Sequence, residues 1–211
     1  MIWILRILNI LLLILDFLVI FYKPNFTRIV FIAISLLFLI SGLRKAFIIG
    51  LDNLRGKFWV LLSLNGLIFP IAAFYDSQIV HALGRFYLIF PLTFMFLGLK
   101  RQGLSLKGIK TIIWLLIVTL VIILSNIFLL VNKDLLTLLF VIVLNINFAI
   151  LLANVLIYFG SDLGRRWLIG FLAFFFLLIG DPLYIFNMKD WAYFFWCFIF
   201  FFLNITAHIE E

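Results

Sequence analysis

Long apolar runs broken by short polar ones fill the chain. They read as about eight helical spans, at 2–22, 29–43, 58–75, 79–99, 110–131, 135–159, 167–187 and 191–208. About 20 apolar residues suffice to cross a hydrocarbon core of roughly 30 Å as a helix. The pattern predicts an all-α fold, a polytopic integral membrane helical bundle with short loops forming one transmembrane domain over 1–211. The second span is short, and the fourth must take in His81 and Arg85 to reach full length. Leu43 to Lys57 mixes Arg44, Lys45, Arg55 and Lys57 with Phe47, Ile48 and Ile49, which suits a short helix lying at the interface. After the first apolar run comes Tyr22-Lys23-Pro24-Asn25 in place of a small-residue cleavage site, so that run reads as a retained helix. Asn25-Phe26-Thr27 fits the glycosylation sequon, but it is pressed between two spans.

Polar residues inside the spans carry the chemistry. Gly180-Asp181-Pro182 interrupts the run from Trp167 to Asn187, and Asp181 lies about 21 Å along that helix at 1.5 Å per residue. Pro182 has no N–H for the carbonyl of Leu178, which predicts a kink beside a carboxylate and a plausible proton or cation site. In the first span Arg6, Asn9 and Asp16 share an arc of about 80° at 100° per residue, and they should face other helices. Asn147, Asn154 and Tyr158 share one face of the sixth span. Cys197, Asn204 and His208 share one face of the eighth, while Asn65 and Asn126 add an amide each to the third and fifth. Asp181, Asn147, Asn154, Tyr158, Arg6, Asp16, Asn204 and His208 together form the candidate polar pocket. The alternative is that these groups act as interhelical packing contacts.

Composition excludes a water-soluble fold: 67% of the 211 residues are hydrophobic and 12% charged, against about 45–50% and 25% for soluble domains. The single cysteine, Cys197, has no internal disulfide partner, and His81 and His208 show no metal-ligand spacing, so no cofactor or metal is expected. The net charge of +7 is spread over the loops, which argues for membrane orientation and against nucleic acid. Connections after the second, fourth and sixth spans hold Arg44, Lys45, Arg55, Lys57, Lys100, Arg101, Lys107, Lys110, Arg165 and Arg166. The odd-numbered connections hold only Lys23, Arg28, Arg85, Lys133 and Lys189. By the positive-inside rule both termini are cytoplasmic, in a multi-pass protein of the cell membrane.

An offset of 80 residues lays Gly84-Arg85-Phe86-Tyr87-Leu88-Ile89 over Gly164-Arg165-Arg166-Trp167-Leu168-Ile169. It superposes 29–99 on 110–187. Three helices being an odd number, the copies would be inverted, as in many transporters. Three functions follow. The first is binding or transport of a small or lipid-like molecule through an intramembrane polar pocket, motivated by the stripes and by Pro70, Pro91 and Pro182. The second is an intramembrane hydrolase acting on lipids, with Asp181, Asp162, Asp76, His81 or His208 as acid/base groups. With Lys23-Pro24 opening the second span and Gly180-Asp181 in a helix, the chain resembles the lysoplasmalogenase family of membrane ether-lipid hydrolases in size, span number and termini. That family's Gly-Asp pair is expected in an early span and here falls in the seventh, so no catalytic residue is carried over. The third is a non-catalytic membrane subunit or sensor, with the aromatic surface Trp191 to Phe202 as a partner face. Beyond the lipid bilayer, no motif identifies a protein partner.

Overall fold

The computed structural model describes residues 2–76, 78–101, 173, 175–177 and 179–208, with isolated positions between 113 and 150. All described elements are helices and none is a strand. They are α1 (Ile2–Tyr22), a 3-10 turn (Pro24–Phe26), α2 (Thr27–Ile49), α3 (Leu54–Ser63), α4 (Asn65–Tyr75) and α5 (Gln78–Arg101). Two more follow near the C-terminus, α6 (Phe175–Ile185) and α7 (Lys189–His208). Among the described residues four stretches are long and apolar enough to cross a membrane: Trp3–Tyr22, Pro24–Ile49, Leu54–Tyr75 and Lys189–His208. The chain is thus a helical membrane-embedded protein. The expected fifth and sixth spans, and the second half of the 80-residue repeat, lie almost wholly outside the described residues.

The second span is longer than its apolar pattern implies. Arg44 and Lys45 do not end α2, which runs on to Ile49 and stops at Gly50, whose φ of 94° favours a residue without a Cβ. Charged residues near a helix end can send their heads to the interface while their stems pack, so two cations do not mark a boundary. No separate interfacial helix forms over 43–57. Asn53 instead caps α3, its side-chain oxygen accepting from the Arg55 backbone N–H at 3.0 Å. The third span is broken at Leu64 into α3 and α4, where Asn65 Nδ2 donates to the Leu62 carbonyl at 3.0 Å. Pro70 follows inside α4 and Pro91 inside α5. At the sequon, Asn25 is exposed, whereas Thr27 is fully buried and its hydroxyl donates to the Pro24 carbonyl.

α2 is the hub, packed against α1, α3, α4 and α7. Its approach to α3 and α4 depends on small residues. Gly42 lies against Ser63, and Gly66 lies against the Ser35 carbonyl and Leu39. Lipid tails are as apolar as leucine, so such close backbone contact and its dispersion energy replace the hydrophobic effect as the source of helix association. Aromatic rings fill the space that remains: Phe31 meets Tyr193, Trp196 and Phe200, while Phe38 and Phe69 also reach Phe200. α1 is inverted relative to a soluble helix. It buries Leu5, Asn9, Asp16 and Ile20, and presents Ile7, Ile10, Leu11, Ile14, Phe17, Leu18 and Phe21 outward.

A Cβ at position 66 would collide with backbone that cannot yield. Gly66→Ala is therefore expected to destabilise the bundle by about 1–3 kcal/mol, the range for overpacking, and thermal unfolding in detergent micelles measures it.

Candidate functional site

Three helices and the end of a fourth bring a set of polar side chains together. His81 and Arg85 stand one turn apart on α5. Asp181 and Tyr184 sit three apart on α6, as Tyr193 and Trp196 do on α7. α4 contributes Phe69 and, at its C-cap, Asp76. At the centre Arg85 and Asp181 form a two-pronged ion pair: Nε donates to one carboxylate oxygen at 2.9 Å and Nη2 to the other at 2.6 Å. Arg85 is 1% and Asp181 0% exposed, so both charges are out of solvent. The guanidinium is also boxed by rings, lying 4.4 Å from the Phe69 centroid and 4.9 Å from that of Trp196. Gly180 makes room for this box, since a Cβ there would strike the Trp196 indole. The Trp196 N–H lies beside Asp181 without closing a hydrogen bond of good geometry.

Toward the end of α4 the polar set continues. Asp76 has φ 48°, in the left-handed region that aspartate tolerates at a helix end. One of its carboxylate oxygens accepts from Lys189 Nζ at 2.6 Å. The other accepts from the hydroxyls of Tyr193 at 3.1 Å and Tyr184 at 3.3 Å. The chain reaches Lys189 by a tight turn after α6, with Asn187 at φ 63° and paired bonds from Asn187 N–H to the Tyr184 carbonyl and Met188 N–H to the Leu183 carbonyl. His81 is fully buried between Tyr184 and Trp196, with ring centroids at 4.6 and 5.1 Å, and its Nε2 lies 3.5 Å from the Tyr193 hydroxyl. Partial burial alone would raise the Asp76 pKa, but the Lys189 ammonium and the two tyrosine hydroxyls outweigh it and hold the carboxyl below its usual range.

Beside the ion pair is a small cavity of about 10 Å³, room for roughly one water. Phe31, Leu62, Phe69, Leu177 and Trp196 supply apolar wall, and Arg85 and Asn65 its polar points. Asn65 Oδ1 is buried and has no hydrogen-bond partner.

The described members of the sequence-derived pocket fall into two groups. Arg6 donates to the His208 carbonyl at 2.7 Å, and Asn204 Nδ2 donates to Asn9 Oδ1 at 3.0 Å. Asn9 in turn donates to the Phe201 carbonyl, and His208 Nε2 lies 3.3 Å from the Ser41 hydroxyl. This seam joins α1, α7 and the far part of α2. Asp16 is in the same α1–α7 contact, buried beside the Cys197 thiol without closing a hydrogen bond of good geometry. Asp181 belongs to the other group, with Arg85. Asn147, Asn154 and Tyr158 lie outside the described residues. Sequence reasoning counted Arg85 with the loop charges or as a burden on its span, counted Lys189 with the loop charges, and gave Tyr184 and Tyr193 no role. The available signal was His81 and Arg85 at a spacing of four within an apolar helix. Among the described residues no group of three His, Cys, Asp or Glu side chains is placed to hold a metal ion. Comparison with protein-family models, with curated proteins and with solved structures returns no match.

Removing one partner of a buried ion pair strands the other charge. Asp181→Asn is expected to cost about 3–5 kcal/mol of stability, and the double replacement Arg85→Met with Asp181→Leu to recover most of it. Unfolding midpoints of the three proteins in the same detergent decide this. At Asp76 the lowered pKa means a contribution present above the unfolded carboxyl value and lost as pH falls through the folded one. The stability difference between the protein and Lys189→Gln should therefore shrink as pH is taken from 6 toward 3. It should stay near or below about 1 kcal/mol, because the pair is partly exposed.

Proposed function

We propose that the protein binds, and by opening transports, a small or lipid-like molecule at the Arg85–Asp181 site, with the polar group of the ligand engaging the ion pair and its apolar part lying among Phe31, Phe69 and Trp196. The buried pair is the observation that supports this. Charged side chains within a membrane cost several kcal/mol, are rare, and mark ligand and ion pathways. The unpartnered amide oxygen of Asn65 offers a ligand donor a second point of attachment. A cavity of about 10 Å³ admits only a water, so occupancy requires the helices to part. Pro70 and Pro91, which interrupt the hydrogen-bond ladders of α4 and α5, are the places for that bend. This reading goes with about eight spans, an inverted repeat and both termini on the cytoplasmic side of the cell membrane.

A second reading, an intramembrane lipid hydrolase, is favoured by the contact of Asp76, Tyr193 and His81 at the boundary end of the same site. Such a group can hold and move a proton where a lipid headgroup would lie.

A thermal-shift panel of phospholipids, lysolipids and small polar solutes on the purified protein, followed by uptake into vesicles, tests the first reading. A stabilising ligand whose effect vanishes in Arg85→Gln supports it. Turnover of a lipid in the panel favours the hydrolase, and neither shift nor uptake nor turnover removes both in favour of a membrane subunit. Labelling of a cysteine appended to the C-terminus in whole cells checks orientation: access from outside the cell overturns the cytoplasmic tail.

A further inference from the structure

His81 is built unlike a packing residue. It is 0% exposed, yet one of its two ring nitrogens, Nδ1, has no hydrogen-bond partner. A buried polar atom left alone is unfavourable, and one in this position calls for an explanation. The other nitrogen fixes which form of the ring is present. Tyr193 has one hydroxyl proton, and the carboxylate of Asp76, a pure acceptor when ionised, takes it at 3.1 Å. The Tyr193 oxygen can then only accept from His81, at 3.5 Å. Nε2 therefore carries the proton, and Nδ1 presents a free lone pair. The row Asp76–Tyr193–His81 does for this imidazole what a buried aspartate does for a catalytic histidine: it sets the tautomer and orientation.

We propose that His81 is a proton-accepting base serving the Arg85–Asp181 site, and that Tyr193 and Asp76 link it to water at the membrane boundary. His81 and Arg85 are one turn apart on α5 and flank the same Trp196 ring, at 5.1 and 4.9 Å. A hydroxyl or water brought beside that ring gives its proton to Nδ1 and becomes an anion next to the Arg85 guanidinium. The Nε2 proton passes to the Tyr193 oxygen as the Tyr193 hydroxyl proton passes to Asp76. The net result is one proton moved from the buried donor to a carboxylate that is partly open to solvent, from which water removes it. The titratable groups around His81 are Arg85 on its own helix, Asp76 after α4, Tyr184 on α6, and Lys189 and Tyr193 on α7. The inference stands whether the site transports or hydrolyses, because it concerns the state of the imidazole before any ligand arrives.

Nitrogen-15 NMR of histidine-labelled full-length protein in lipid nanodiscs tests it, with His208→Gln used to assign the two rings. The expected result is a single His81 tautomer, protonated at Nε2 and bare at Nδ1. Tyr193→Phe should abolish that single state and give a mixture. Asp76→Ala removes the acceptor and frees the Tyr193 hydroxyl to turn its proton toward Nε2, and should move His81 to the Nδ1–H form. A His81 protonated at Nδ1 in the unaltered protein, or an unaltered tautomer in both variants, overturns the proposal. Because the two variants remove different atoms, failure of one to fold leaves the other decisive.

Discussion

Arg85 and Asp181 can be buried in this bundle only because each neutralises the other. Alone, either charge would cost several kcal/mol in a low-dielectric interior. Together, through two short bonds and two ring faces, they hold α5 to α6 and bring α4 and α7 against both. The pair is costly to assemble and costlier to break, so it fixes which helices are neighbours more than it adds to stability. The rest of the site depends on that arrangement. His81 is placed because it is one turn from Arg85, and Tyr184 because it is three residues from Asp181.

Around this centre the bundle sorts its polar groups by depth. Asp76 and Lys189 stand at the ends of helices, partly open, where an ion pair contributes little. His81, Tyr193, Arg85 and Asp181 are all buried. The polar set thus steps from a partly open pair at the helix ends to buried groups inside the bundle. The seam of Arg6, Asn9, Asn204 and His208 is different. It joins α1 to α7 by side-chain to backbone bonds and an amide pair, as interhelical polar contacts commonly do.

Small residues decide how near the helices come. Gly42, Gly66 and Gly180 each face a neighbour that leaves no space for a Cβ. α7 also packs closely on α2, with the aromatic side chains of Tyr193, Trp196 and Phe200 against Phe31.

Hydropathy alone was sufficient for the class of fold, since a run of about 20 apolar residues has few stable alternatives to a helix in lipid. The face-sharing of Arg6 and Asn9, and of Asn204 and His208, was legible for the same reason: helical period converts spacing into direction. Helix ends were less legible. Arg44 and Lys45 looked like a boundary, but φ at Gly50 set it, and a run read as one span is broken at Leu64, beside Ser63, Asn65 and Gly66. The partner of Asp181 was hidden altogether, because Arg85 is 96 residues away in the chain and charge complementarity carries no address. Local pattern thus determined that this is a helical membrane protein and that Asn9 and Asp16 of α1 and Asn204 and His208 of α7 turn inward. Only the folded arrangement decided which inward residues meet, because that depends on distances between helices that no periodicity encodes.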